Sequence, residues 1–182
     1  MFMRNLFIII GIPGSGKSTF LKTYFKGKPK VRVVSRDAIR LSLVKLDEPY
    51  FSRETEVQQK LWREINKELA AGKDVFVDQT SISIASRKKL LKNIYGYNKC
   101  IAILLEDSLD TDLCLKRNKE REGRAFVPPE IIKNMATQLE LPSSFEGFDM
   151  IFIWSSNSKL LSPFPYPTQI LSSINPEKLL EI

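Results

Sequence analysis

The chain contains no histidine. That removes imidazole as general base, phosphohistidine carrier and metal ligand, and it leaves proton abstraction to carboxylates. Cysteine is nearly absent: Cys100 and Cys114 are the only two. They lack CxxC spacing, so neither a metal site nor a disulfide framework follows, and they read as small buried hydrophobes. No apolar run approaches the roughly 18 residues of a membrane span. The first one, residues 6–10, also lacks the length and small-residue cleavage site of a secretory signal. No membrane or protein partner is marked, and a cytoplasmic location is the expectation.

What is present suits a soluble globular chain. Its 182 residues, 43% of them hydrophobic, fit one domain with a continuous core and are too few for two full catalytic domains. The formal charge of +7, from 28 basic against 21 acidic side chains, suits a polyanionic partner without identifying one. Basic residues cluster over 22–32 and 87–99. A triphosphate site accounts for part of the excess, and the rest fits a solvated face or a nucleic-acid footprint equally well.

Short apolar runs at 6–10, 31–34, 75–77, 101–105 and 151–154 read as strands covered on both faces. Between them, Val57, Leu61, Ile65 and Leu69 recur every four residues. Ile131, Ile132, Met135 and Leu139 follow Pro128-Pro129, and Pro142 ends that pattern. Strands alternating with helices predict an α/β fold: a central parallel five-stranded sheet with helices on both faces and ligands at the carboxyl ends of the strands. Residues 1–154 form the expected domain. The Ser- and Pro-containing remainder, 155–182, is expected to break regular structure and pack on the same body as a tail.

Gly11-Ile12-Pro13-Gly14-Ser15-Gly16-Lys17-Ser18 matches GxxxxGK[ST] in full, after a strand and before a helix-compatible stretch. This P-loop (Walker A) pattern predicts a nucleoside triphosphate site for ATP with Mg²⁺. Glycines let successive N–H groups face phosphate oxygens, and the helix that follows offers its positive end. Lys17 should reach the β- and γ-phosphates, Ser18 should offer its hydroxyl to Mg²⁺, and Thr19 is the next helical residue rather than a metal ligand.

After the second strand comes Ser35-Arg36-Asp37-Ala38-Ile39-Arg40. On a helix, Asp37 and Arg40 share a face, so a carboxylate able to accept a hydroxyl proton stands beside a fork able to hold a phosphate. The alternative is that Asp37 caps the helix while Arg40 points to solvent. Asp78 ends the third apolar run, where an acidic residue near Mg²⁺ or the acceptor is common in P-loop proteins; capping is its alternative role. Arg117, Arg121 and Arg124 are spaced four and three apart, so a continuing helix would align them as a basic lid with Gly123 as hinge. A salt-bridged solvated face, with Glu120 and Glu122, is the competing reading.

Taken together, GIPGSGKST, SRDAIR, VDQTS, LKRNKEREGRAFVP and EGFD resemble the 5′-hydroxyl polynucleotide kinase family over residues 5 to 154. The resemblance implies a P-loop kinase that transfers the ATP γ-phosphate to a 5′-OH end of RNA or DNA. It implies Lys17 and Ser18 as nucleotide and Mg²⁺ contacts, Asp37 as general base and Arg40 as acceptor-phosphate clamp. It further implies Asp78 as an active-site carboxylate and Arg121 as the lid arginine, with Arg124 its competitor. Many relatives carry Asp-x-Thr-Asn where this chain has Asp78-Gln79-Thr80-Ser81, and the phosphatase and ligase domains often fused to such kinases are absent, so a stand-alone kinase is expected. Kinases of a small molecule or of an aminoacyl-tRNA would use the same cradle and base, and a regulatory ATPase would use the cradle alone.

Overall fold

Each apolar run needs cover on two faces and partners for its backbone groups, and one sheet between two helical layers supplies both. The computed structural model describes residues 4–45, 47–164 and 176–181, with the side chain of Arg124 outside the described residues. In chain order the elements are β1 (Asn5–Ile10), α1 (Lys17–Phe25), β2 (Val31–Ser35), α2 (Arg36–Leu43), α3 (Glu54–Ala70) and β3 (Asp74–Asp78). There follow α4 (Ile84–Leu91), β4 (Lys99–Leu105), α5 (Thr111–Lys119), α6 (Pro129–Thr137), β5 (Met150–Trp154) and β6 (Leu161–Pro163). The sheet order is β2-β3-β1-β4-β5-β6, and β1 to β5 pair in parallel.

Alternation along β1 divides the core. Leu6, Ile8 and Ile10 join Val57, Leu61, Ile65 and Leu69 of α3 and Leu90 of α4 on one face. Phe7 and Ile9 join Phe20, Leu21 and Phe25 of α1 on the other. The four-residue period read in α3 is therefore its buried stripe, and each such side chain contributes roughly 1.5–3 kcal/mol relative to an exposed position. A third cluster, Ile12, Cys114 and Ile132, fastens the loop after β1 to α5 and α6. Because β1 lies between β3 and β4, the chain leaves it toward opposite sides, and the crevice at its carboxyl end is the switch point where ligands of such sheets bind.

The sheet has one strand more than the five runs predict. Ser155 N–H donates to Leu160 O at 3.1 Å, closing a turn that brings Leu161 back against Trp154 as an antiparallel partner. Pro163 ends this strand, which proline permits because the strand is at the edge. Leu179, in a short 3₁₀ helix at Pro176–Glu181, is fully buried against the α1 face. The proline-rich stretch expected to break regular structure runs on from Phe164 into residues 165–167, and these lie outside the described residues. No helix among the described residues is long and apolar enough to cross a membrane.

Candidate active site

The loop from Gly11 to Gly16 depends on glycine at two points. Gly14 and Gly16 have φ of +90° and +91°, the left-handed region that side chains other than glycine rarely adopt. A Cβ on Gly14 would also lie 2.3 Å from the carbonyl oxygen of Cys114, so glycine there lets α5 pack directly on the loop. Gly16 caps α1 with no side-chain hydrogen bond, which leaves the first N–H groups of the helix facing outward as anion donors. Gly11 N–H donates to Thr80 O at 3.0 Å, tying the loop to the segment after β3. Pro13 and Ser15 are buried, and Ser18 and Thr19 are exposed on the first turn of α1.

Lys17 folds over this loop, its Nζ donating to Gly11 O at 2.7 Å and Ile12 O at 2.9 Å. Burial pulls its pKa down to about 8, Asp78 opposes the shift and Arg121 reinforces it. Phosphate binds the ammonium form and raises its pKa, so affinity is full below pH 8 and falls as pH rises through that value. ATP affinity should therefore weaken about tenfold per pH unit above 8, with uptake of close to one proton. Titration calorimetry in buffers of different ionisation enthalpy measures both, and a flat affinity from pH 7 to 9.5 would contradict this. The open donors, Lys17 and the exposed Ser18 hydroxyl fit a Mg²⁺-bound triphosphate, since Mg²⁺ keeps phosphate oxygens among its ligands.

At the carboxyl end of β2, Ser35 caps α2 by accepting from Ala38 N–H at 3.4 Å. Asp37 is thus free of the capping role that competed for it, and its side chain is 76% exposed. Arg40 does not point to solvent either. It is 5% exposed, and its Nη1 donates to Asp37 Oδ1. Its Nε and Nη2 donate to the two carboxylate oxygens of Glu54 at 2.7 and 3.2 Å. Arg36 reaches the same carboxylate at 2.8 Å. Arg40 and Arg36 hold the Glu54 carboxyl below its ordinary pKa, and these partners push the Arg40 guanidinium further up against the cost of its burial. Glu54 escapes notice in the sequence because it lies 14 residues beyond Arg40.

Asp78 stands beside Ser35 in register across β3 and β2. Burial raises its pKa, while Lys17 and a hydrogen bond from Ser35 oppose the rise and Asp37 adds to it. Lys17, Asp78 and Asp37 therefore share one electrostatic neighbourhood at the carboxyl edge of three adjacent strands.

The basic stripe expected over 117–124 is not one helix. Helix α5 ends at Lys119 because the buried amide of Asn118 pairs both ways with the Val127 backbone, at 2.7 and 3.1 Å. The intervening chain closes into a loop in which Gly123 turns at φ +57°. Arg121 lies on that loop within electrostatic reach of Lys17. Arg117 leans on the cradle instead, with Nη1 2.6 Å from Asp107 Oδ2 and 3.4 Å from Gly14 O. Asp107, itself bonded by Ser156 at 2.9 Å, lies two residues beyond the end of β4. The place that Asp78 has at the end of its apolar run is taken here by Glu106, so the sequence carries no equivalent signal for Asp107.

Arg87, counted in the basic cluster at 87–99, is fully buried and leaves that surface. It donates to both carboxylate oxygens of Glu146 at 2.7 and 2.9 Å, and to the backbone oxygens of Ser81, Ile82, Glu140 and Leu141. This pair holds the segment after Asp78 in place. Within that segment Ser81 has φ +47°, a conformation that asparagine tolerates better than serine.

The AAA_33 family, an AAA domain, matches residues 6–142. L-seryl-tRNA(Sec) kinase of Methanococcus maripaludis is 30% identical over 97% of this chain and 68% of its own length. A protein of Autographa californica nuclear polyhedrosis virus named as a bifunctional polynucleotide kinase/RNA ligase is 27% identical over 80% of this chain, which spans 22% of it. A chain of the Pnkp1/Rnl/Hen1 RNA repair complex superposes with a TM-score of 0.66 at 24% identity, covering 94% of this chain, which spans about half (52%) of that one.

Proposed function

Given that the chain belongs to the AAA_33 family and has the α/β P-loop kinase fold, we propose that it transfers the γ-phosphate of ATP to the 5′-OH end of RNA or DNA. P-loop kinases of this family use ATP with Mg²⁺. The observation that carries the choice of acceptor is the Asp37–Arg40 pair. It joins an exposed carboxylate to a buried guanidinium, beside Asp78 and Lys17 and at the carboxyl end of the strand next to β3. Asp37 accepts the hydroxyl proton as the acceptor oxygen bonds to the γ-phosphorus and the bond to the β-phosphate bridge breaks, releasing ADP. Arg40 fixes the carboxylate and, to act as the acceptor-phosphate clamp, exchanges one of its bonds to Asp37 or Glu54 for the phosphate, while Lys17 holds the β- and γ-phosphates. Asp78 balances the Lys17 charge, and Arg121 from the loop after α5 covers the transferred group, with Arg124 as the alternative. Ser18 would hold Mg²⁺, which would supply charge neutralisation at the phosphates.

Phosphorylation of an aminoacyl-tRNA is the second reading, favoured by 30% identity to L-seryl-tRNA(Sec) kinase over nearly the whole chain. Oligonucleotides of one sequence ending in 5′-OH or 5′-phosphate test the first. With ATP labelled at the γ-position, label should enter only the 5′-OH strand. No incorporation into RNA or DNA at saturating acceptor would overturn it.

A further inference from the structure

Phe51 has no core role, being 68% exposed, and it stands on the acceptor side of the site. The Arg40 guanidinium carbon lies 5.1 Å from its ring centroid and 4.9 Å from that of Tyr50. The two rings meet edge to face at 4.9 Å and 80°. Arg40 is in turn fixed by Glu54 and Asp37. A solvent-facing aromatic ring is ordinary by itself. This one is held against the guanidinium that bonds the proposed base, and it leaves most of its surface to solvent. Such a ring offers a π-face beside the proposed base, which suits a nucleobase rather than a bare phosphate.

We propose that Phe51 is a stacking platform for the base of the acceptor's terminal nucleotide. This rests on the nucleic-acid reading above and deepens it: Asp37 addresses the hydroxyl, Arg40 the neighbouring phosphate and Phe51 the base. Stacking of one base on an aromatic side chain is sequence-tolerant, so the platform recognises a terminal nucleotide without selecting its identity.

The test compares wild type, F51L and F51W on two 5′-OH oligonucleotides, one with a terminal 2-aminopurine and one abasic at that nucleotide. F51L should raise KM for the base-bearing strand about tenfold, as expected for one stacked base. ATP KM and the turnover at saturating acceptor should stay within about twofold, and F51W should restore KM. The abasic strand should bind wild type and F51L alike. Quenching of 2-aminopurine fluorescence on binding should be present in wild type and lost in F51L. Equal KM and equal quenching in wild type and F51L, or an equal loss on the abasic strand, would overturn the platform while leaving the kinase reading intact. If wild type labels no oligonucleotide, the kinase reading fails on its own, and quenching that depends on Phe51 still decides the platform.

Discussion

Asp37→Asn is expected to lower turnover by about 10²- to 10⁴-fold, the span that a positioned general base contributes, while ATP affinity changes by no more than about twofold. The amide keeps the shape of the carboxylate and can still accept from Arg40, so α2, capped by Ser35, has no reason to shift. Only the capacity to take the acceptor proton is lost. No histidine exists to substitute for it, and Asp78, the nearby carboxylate, is half-buried and bonded by Ser35. Single-turnover transfer measures the first quantity and equilibrium nucleotide titration the second. Near-normal turnover would dismiss Asp37 as the base, and a parallel collapse of ATP affinity would show that the residue serves the cradle instead.

Glu146→Ala is expected to cost about 3–5 kcal/mol of folding stability, because it leaves the fully buried Arg87 guanidinium without its counter-ion. Against a total of about 5–15 kcal/mol for a domain, that is a large fraction. Replacing both partners by apolar residues, Arg87→Met with Glu146→Leu, should cost less than the single change, since removing both charges avoids an uncompensated one. Urea unfolding of the single and double variants reads the difference. A single variant within 1 kcal/mol of wild type would contradict the assignment. The consequence reaches the site, because Arg87 grips the Ser81 and Ile82 carbonyls three and four residues after Asp78.

The cradle was legible in the sequence because its parts are contiguous, and Asp37 with Arg40 because helical geometry makes neighbours of residues three apart. The α3 stripe was legible because burial of one face repeats every turn. Contacts made by the tertiary fold left no such trace. Glu54 meets Arg40 only because the start of α3 returns to α2, and Glu146 meets Arg87 across 59 positions. Arg87 therefore reads like the exposed lysines beside it, although its guanidinium is enclosed. The arginine stripe failed for a related reason: helical spacing held up to Lys119, but the bonds between Asn118 and Val127 stop the helix, and a buried amide in a charged run carries no periodic signal. Strand β6 was hidden by Pro163, since proline argues against a strand except at an edge, and edge position is a property of the finished sheet.

On the reading proposed above, Asp37, Arg40, Asp78 and Lys17 act as one site for transfer to a nucleic-acid 5′-OH. Measuring kcat/KM side by side for a 5′-OH oligonucleotide and for seryl-tRNA, with wild type and Asp37→Asn, decides between the two acceptors. Transfer to the oligonucleotide 5′ end should be efficient, transfer to seryl-tRNA weaker, and both should be lost in the variant. Efficient transfer to seryl-tRNA with none to the 5′-OH end would contradict that reading.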